Sequence, residues 1–116
     1  MCLVSNRRFP RIALKNIIVY KILCENDTPP FYRGYKYKKG INYPEGKSSI
    51  ERVGGTTFVD KGYLHAFSDK RIAEAHKDTL EQEDSSLKLR IVEMKVPFGT
   101  RYYSGAFDIC AKKLVW

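Results

Sequence analysis

Cysteine is scarce in this chain and scattered: Cys2, Cys24 and Cys110 form no CxxC pair, and His65 and His76 are the only imidazoles. An odd number of distant thiols with two histidines indicates neither a zinc site nor a disulfide framework. The thiols read as free side chains in or near the core of a cytosolic protein. Long apolar runs are missing too. None approaches the roughly 18 residues that cross a bilayer, and the N-terminus carries no apolar stretch of the kind that directs secretion. A cytoplasmic protein without a membrane partner is expected. Catalytic motifs are equally thin. No GxSxG elbow surrounds a serine, and GYKYKKG lacks the strand-to-helix setting and terminal Lys-Ser/Thr pair of a phosphate loop. On motif grounds there is no catalytic residue, no metal ligand and no cofactor to assign.

What is present suits one domain of 116 residues. A hydrophobic share of 43% is ordinary for a globular protein, and an aromatic share of 13% is more than a disordered chain carries. The net charge of +8 is unevenly placed: Met1 to Lys47 holds ten Lys/Arg against three Asp/Glu, and Ser48 to Trp116 eleven against ten. Such asymmetry favours an anionic partner, whether nucleic acid, a phosphorylated small molecule or an acidic protein surface.

Residues 1–14 mix basic and apolar side chains around Pro10 and read as a basic arm. The β-branched run Lys15 to Cys24 predicts a strand, and its continuous Ile17-Ile18-Val19 suggests burial on both faces. Beyond Pro29-Pro30, Phe31 to Tyr37 alternates only partly and is interrupted by Gly34, as in a bulged strand or irregular hairpin. Asn42 to Gly55 is turn-rich and reads as a long surface loop. Short strands are expected at Thr56 to Val59 and Gly62 to Phe67. A helix follows, with Ser68 as N-cap, Asp69 in the first turn and an end near Gln82. Ile72, Ala73, Ala75, His76, Thr79 and Leu80 give it an apolar stripe to lay on a sheet. From Leu87 to Val96 the alternation changes phase, which implies a bulge. Pro97 to Thr100 forms a turn, with further strands at Arg101 to Ser104 and Lys112 to Trp116. Strands on both sides of one principal helix predict an α+β domain with a mainly antiparallel sheet.

Tyrosines interleave with cations from Tyr32 to Lys39 and again in Arg101-Tyr102-Tyr103. Aromatic faces stack on bases while guanidinium and ammonium groups hold phosphate. The same interleaving also suits a half-buried strand with tyrosines inward and lysines outward. On the binding reading, Arg33, Lys36 and Arg101 hold phosphates, and Tyr35, Tyr37 and Tyr103 stack on or border a base. His65, at a strand end beside a helix N-terminus where anions bind, supplies a hydrogen bond; its alternative is a structural histidine. Trp116 either caps the core or stacks on a ligand.

The segments VYK (Val19 to Lys21), GYKYKKGINY, GYLHAF and VPFGTRYYSG resemble small proteins encoded by gut Bacteroidetes and their phages. There is a looser similarity to ADP-ribosyltransferases, in which GYLHAFS precedes a helix and IVEMKVPFGTRYY would supply the glutamate strand, with Glu93 as the glutamate. Lys21 stands where the arginine-type enzymes place arginine, no Ser-x-Ser occurs, Ile91 precedes Glu93 by two residues, and His65-Ala66-Phe67 is not the histidine-type His-x-Thr. The resemblance therefore implies a nucleotide-binding scaffold more than a transferase. In functional class the chain is similar to viral sponges that sequester nucleotide immune signals. This implies binding of a cyclic dinucleotide or cyclic ADP-ribose isomer in a bacterial host cell, with oligomerisation completing the pocket. The alternatives are a nucleic-acid-binding module on the cationic N-terminal third, and an ADP-ribosyltransferase-like or nucleotide-cleaving enzyme using Glu93 with His65.

Overall fold

The computed structural model of the protein describes residues 3–5, 9–30, 35–45, 50–59 and 62–116. In chain order the elements are β1 (Leu3–Ser5), β2 (Arg11–Ile12), β3 (Ile17–Cys24), β4 (Ile41–Asn42), β5 (Ile50–Val53), β6 (Thr56–Val59), β7 (Leu64–Phe67), α1 (Lys70–Glu83), β8 (Leu89–Val96), β9 (Arg101–Ser104), β10 (Asp108–Ala111) and β11 (Leu114–Val115). The expected α+β class holds: a large sheet of order β2-β9-β10-β7-β3-β8-β11-β4, a small sheet of order β1-β6-β5, and one helix. All strand pairs are antiparallel. Among the described residues, no helix is long and apolar enough to cross a membrane.

The two faces of the large sheet bury different things. On the first face, Val19 and Leu23 of β3, Met94 and Val96 of β8, Leu64 and Ala66 of β7, Ile109 and Ala111 of β10 and Leu114 of β11 form the main core. On the second face, Ile22 and Leu89 pack against Leu80 of α1. Farther across that face, Tyr63, Cys110 and Tyr103 pack against Leu3 and Val59 of the small sheet. The change of phase in β8 follows from this division. Leu89 and Ile91 lie under the helix, Val92, Met94 and Val96 lie in the main core, and the register with β3 runs unbroken from Leu89 to Val96. The expected bulge is not there, because the covered face changes along a straight strand. Burial of β3 on both faces likewise applies at Ile22 and Leu23, whereas Ile18 is 45% exposed.

Several boundaries differ from those read in the sequence. Asp69, not Ser68, caps α1, its carboxylate accepting from the Arg71 amide at 2.8 Å. The expected arm contributes β1, where Leu3 pairs Val59, and β2, where Arg11 pairs Tyr102. The expected long loop is broken by β4 and by a tight hairpin in which Val53 pairs Thr56 across Gly54-Gly55, with Gly54 at φ 61°. β10 had no counterpart in the sequence reading.

Candidate functional site

The structure distributes the sequence-predicted residues over both faces of the sheet. Tyr103, Cys110 and His65 form a row across β9, β10 and β7 on the second face. Tyr35 and Tyr37 instead pack on the main core beneath the first. Arg33 lies outside the described residues. The described members of the predicted set therefore do not converge on one pocket. Tyr37 and Tyr103 are 2% and 1% exposed, so neither offers a ring face to a ligand. Burial, with the neighbouring Tyr35, pushes the Tyr37 phenol far above its ordinary range. Arg101 and Lys36 are exposed.

On the second face, Tyr103 meets Tyr63 edge-on at 5.6 Å and its hydroxyl accepts from Arg52 of β5 at 3.2 Å. The Tyr63 phenol is raised by burial, with nearby Arg101 and Arg52 opposing the rise. Lys112 lies 4.3 Å from the Tyr63 ring centroid and donates to the Gly62 carbonyl at 2.8 Å. The Arg52–Tyr103 bond ties the small sheet to the large one. Glu93 and His65, the candidate pair for an enzyme, stand on β8 and β7 with β3 between them. Two strand spacings amount to roughly 10 Å of sheet. No group of three or more His, Cys, Asp or Glu among the described residues could hold a metal ion.

A more coherent arrangement lies at the β11-β4 edge, where half of the predicted tyrosine-lysine segment ends. Asn42 is fully buried, accepts from the Lys38 amide and donates to the Lys38 carbonyl, both at 2.9 Å, so one side chain closes the Lys38-Lys39-Gly40 turn. Gly40 takes φ 99° there and exchanges two backbone hydrogen bonds with Trp116, at 3.1 and 2.9 Å. That fastening places Lys39 Nζ 4.5 Å from the Trp116 ring centroid, while the Arg90 guanidinium approaches the same ring at 5.5 Å. Arg90 is held by an ion pair with Asp27, whose backbone carbonyl receives the Tyr37 amide at 2.9 Å. Around the edge, Tyr43 is 55% exposed, has Lys113 Nζ 5.8 Å from its ring centroid, and accepts at its carbonyl from the Tyr35 hydroxyl at 2.7 Å.

Sequence reasoning left Lys39, Tyr43, Arg90 and Lys113 out of the site. Lys39 and Tyr43 stood within or beside the cationic-aromatic run and were available to it. Arg90 and Lys113 carry no local signal; only strand pairing brings them to the edge. A separate groove of about 450 Å³ lies at the far end of β3, lined in part by Cys24, Thr28, Leu87 and Lys88. Comparison with family models, with curated proteins and with solved structures finds no match for the chain.

Proposed function

We propose that the protein binds a small phosphorylated nucleotide at the β11-β4 edge and holds it without converting it. The observation that carries this reading is the placement of two cations, Lys39 and Arg90, over the ring of Trp116. Lys39 is exposed and forms no ion pair with a carboxylate among the described residues, which leaves its charge for a ligand. Phosphate bridging an ammonium and a guanidinium gains charge-assisted hydrogen bonds, and a base packed at the indole gains stacking contact of about 1–3 kcal/mol. Lys36 and Lys38, both exposed on the adjoining segment, add to the local positive potential.

Set beside the resemblance to proteins of gut Bacteroidetes phages, retention without turnover would withdraw a nucleotide immune signal such as a cyclic dinucleotide or a cyclic ADP-ribose isomer. A second reading, a strand of nucleic acid, is favoured by one observation: a ring with its cation occurs on each side of the edge strand, Trp116 with Lys39 and Tyr43 with Lys113.

Trp116 is the sole tryptophan of the chain, so its fluorescence reports on this site directly. Titration with cyclic dinucleotides, cyclic ADP-ribose isomers, NAD and short oligonucleotides should quench it with one of the small nucleotides. Lys39→Ala should weaken that ligand about 10-fold, and chromatography should recover the ligand intact. A converted ligand would replace the binder by an enzyme. Preference for oligonucleotides with a steep loss of affinity in salt would establish the strand reading instead. No spectral response to any of these ligands would overturn both.

A further inference from the structure

Two adjoining turns each present a large apolar side chain to solvent. Residues 97–100 close one turn through the Thr100 amide, which donates to the Pro97 carbonyl at 3.2 Å, with Gly99 at φ 84° in the third position. A glycine of positive φ at that place is the mark of a type II turn, and the residue before it stands at the outer corner. Phe98 occupies the corner and is 70% exposed. Beside it, residues 13–16 join β2 to β3, and Leu14 is 85% exposed. Ala13 donates to the Thr100 carbonyl at 2.9 Å and accepts from the Gly99 amide at 2.8 Å. The Asn16 side chain accepts from the Phe98 amide at 3.0 Å. Three hydrogen bonds therefore fasten the two turns together with Leu14 and Phe98 on the outside.

A single exposed leucine is ordinary, but these two tips sit in a surface of consistent character. Ile12 of β2, the last strand of the large sheet, and Ile18 of β3 are exposed close by in sequence. The charges around them have one sign. Residues 9–18 and 95–103 hold Arg11, Lys15, Lys95 and Arg101 and no aspartate or glutamate, Glu93 being the first carboxylate along either segment. Arg11, Lys15 and Arg101 are exposed and Lys95 is half-buried, and none of the four forms an ion pair among the described residues. That pattern selects the occupant. A second copy of the chain would set these cations against their own kind. A stable protein interface takes roughly 20–30 residues a side, more than two turn corners offer. A nucleic-acid backbone would meet the cations but give Leu14 and Ile12 no apolar contact. The surface of an anionic bilayer suits both: apolar side chains enter to about 5–10 Å, as those of interfacial helices do, while lysine and arginine meet the headgroups.

We propose that the fastened turns 13–16 and 97–100 form a peripheral docking tip for anionic lipid bilayers, in which Leu14 and Phe98 enter the acyl boundary and Arg11, Lys15, Lys95 and Arg101 meet the phosphate headgroups. The contact is with one leaflet and needs no spanning segment. The expectation of no membrane partner rested on the lack of long apolar runs and does not bear on such a contact. The tip shares no residue with the β11-β4 edge and does not depend on the reading given to that edge.

The test is sedimentation of the intact chain, at physiological ionic strength, with vesicles of phosphatidylcholine alone and with vesicles in which about one lipid in four is phosphatidylglycerol. The protein should pellet with the mixed vesicles and stay free of the neutral ones. Leu14→Ser with Phe98→Ser should weaken binding by about 10-fold or more, with thermal melts unchanged because both side chains are already in solvent. A chain of net charge +8 is drawn to any anionic surface, so Lys70→Ala with Arg71→Ala, which removes two exposed cations from the helix, serves as the control and should weaken binding less than about threefold. Phe98→Trp in a Trp116→Phe background reads insertion directly: its emission should shift to the blue with the mixed vesicles and be quenched by bromine on the acyl chains. Failure to pellet with the mixed vesicles, equal losses in the two double variants, or an unshifted emission from position 98 would overturn the proposal.

Discussion

Lys21 of β3 spends its side-chain hydrogen bond on the main chain of its neighbour, at the carbonyl of His65 in β7. A side chain thereby adds a hydrogen bond beside the single ladder pair that joins β3 to β7. The ammonium that does so is half-buried on the core face and its pKa falls from 10.5 to about 8.

Replacing it should strengthen the fold. The unfolded chain keeps its lysine proton up to pH 10.5 while the folded chain releases it near pH 8. The cost of the buried charge is therefore full below about pH 8, is relieved as pH rises toward 10.5, and is absent above that. Lys21→Met should stabilise the protein by about 1–3 kcal/mol at pH 7. Urea unfolding at pH 7 and pH 10 should find the gain much smaller at the higher pH. A K21M variant less stable than the wild type at pH 7 would show that the His65 bond outweighs desolvation.

Asn42 should be among the least replaceable polar residues. Its amide bridges the Lys38 backbone and also lies 3.4 Å from the Leu114 carbonyl, in a position with almost no solvent access. Asn42→Ala should cost about 2–3 kcal/mol, because buried peptide groups lose their partner. It should also loosen the Lys39 turn, seen as a red shift and easier quenching of Trp116 fluorescence by acrylamide. Asn42→Asp keeps the acceptor for the Lys38 amide but meets the Lys38 carbonyl with an oxygen, so it should be nearly as damaging.

Asp27 combines a left-handed backbone, φ 65°, with an ion pair to Arg90. Asp27→Asn tolerates that backbone and drops the charge. Asp27→Ala loses both features. D27N should be destabilised by less than about 1 kcal/mol and D27A by about 1–2 kcal/mol in the same chemical denaturation assay. If the two are equal, the turn conformation contributes little and the ion pair carries the effect.

Thiol chemistry should separate Cys24 from Cys110. Cys24 is half-exposed on β3, whereas Cys110 is sealed between Tyr63 and Tyr103. In a Cys2→Ser background under native conditions, one equivalent of a small alkylating reagent should go to Cys24. Cys110 should react only as the protein unfolds. Peptide mapping of the labelled sites checks the order.

The strands β3 and β9 and the helix were legible because each announces itself locally: β-branched residues bounded by Asn26-Asp27 and Pro29-Pro30, a short run after the Pro97 turn, and an apolar stripe behind Ser68-Asp69, although the cap is Asp69 and not the expected Ser68. β8 was legible as a strand but not in its geometry. Its change of phase comes from the helix covering one face and the main core the other, and that depends on partners distant in sequence. β10 escaped because Asp108-Ile109-Cys110-Ala111, just past the Ser104-Gly105 turn, is too short and too little alternating to stand out as a strand. The cationic-aromatic character of Tyr35 to Lys39 was visible, yet which rings are sealed was not. Tyr37 is buried by the sheet it closes over, while Tyr43, just past β4, stays open, and both look alike in the sequence. The pairing of Lys39 with Trp116 joins chain segments that nothing local connects.

The single pair Tyr20↔Phe67 also gives the molecule a compliant line. On one side lies the eight-pair β3-β8 ladder, with β11 joined to it by one pair and β4 beyond; on the other, β7, β10, β9 and β2 form a second panel. Slow collective motion should bend the sheet at the β3-β7 seam before it disturbs the β3-β8 ladder, with α1 resting on β3, β8 and β7 and so spanning the fold line. Amide hydrogens along the facing edges of β3 and β7 should exchange earliest among the central strands, well before those in the β3-β8 ladder.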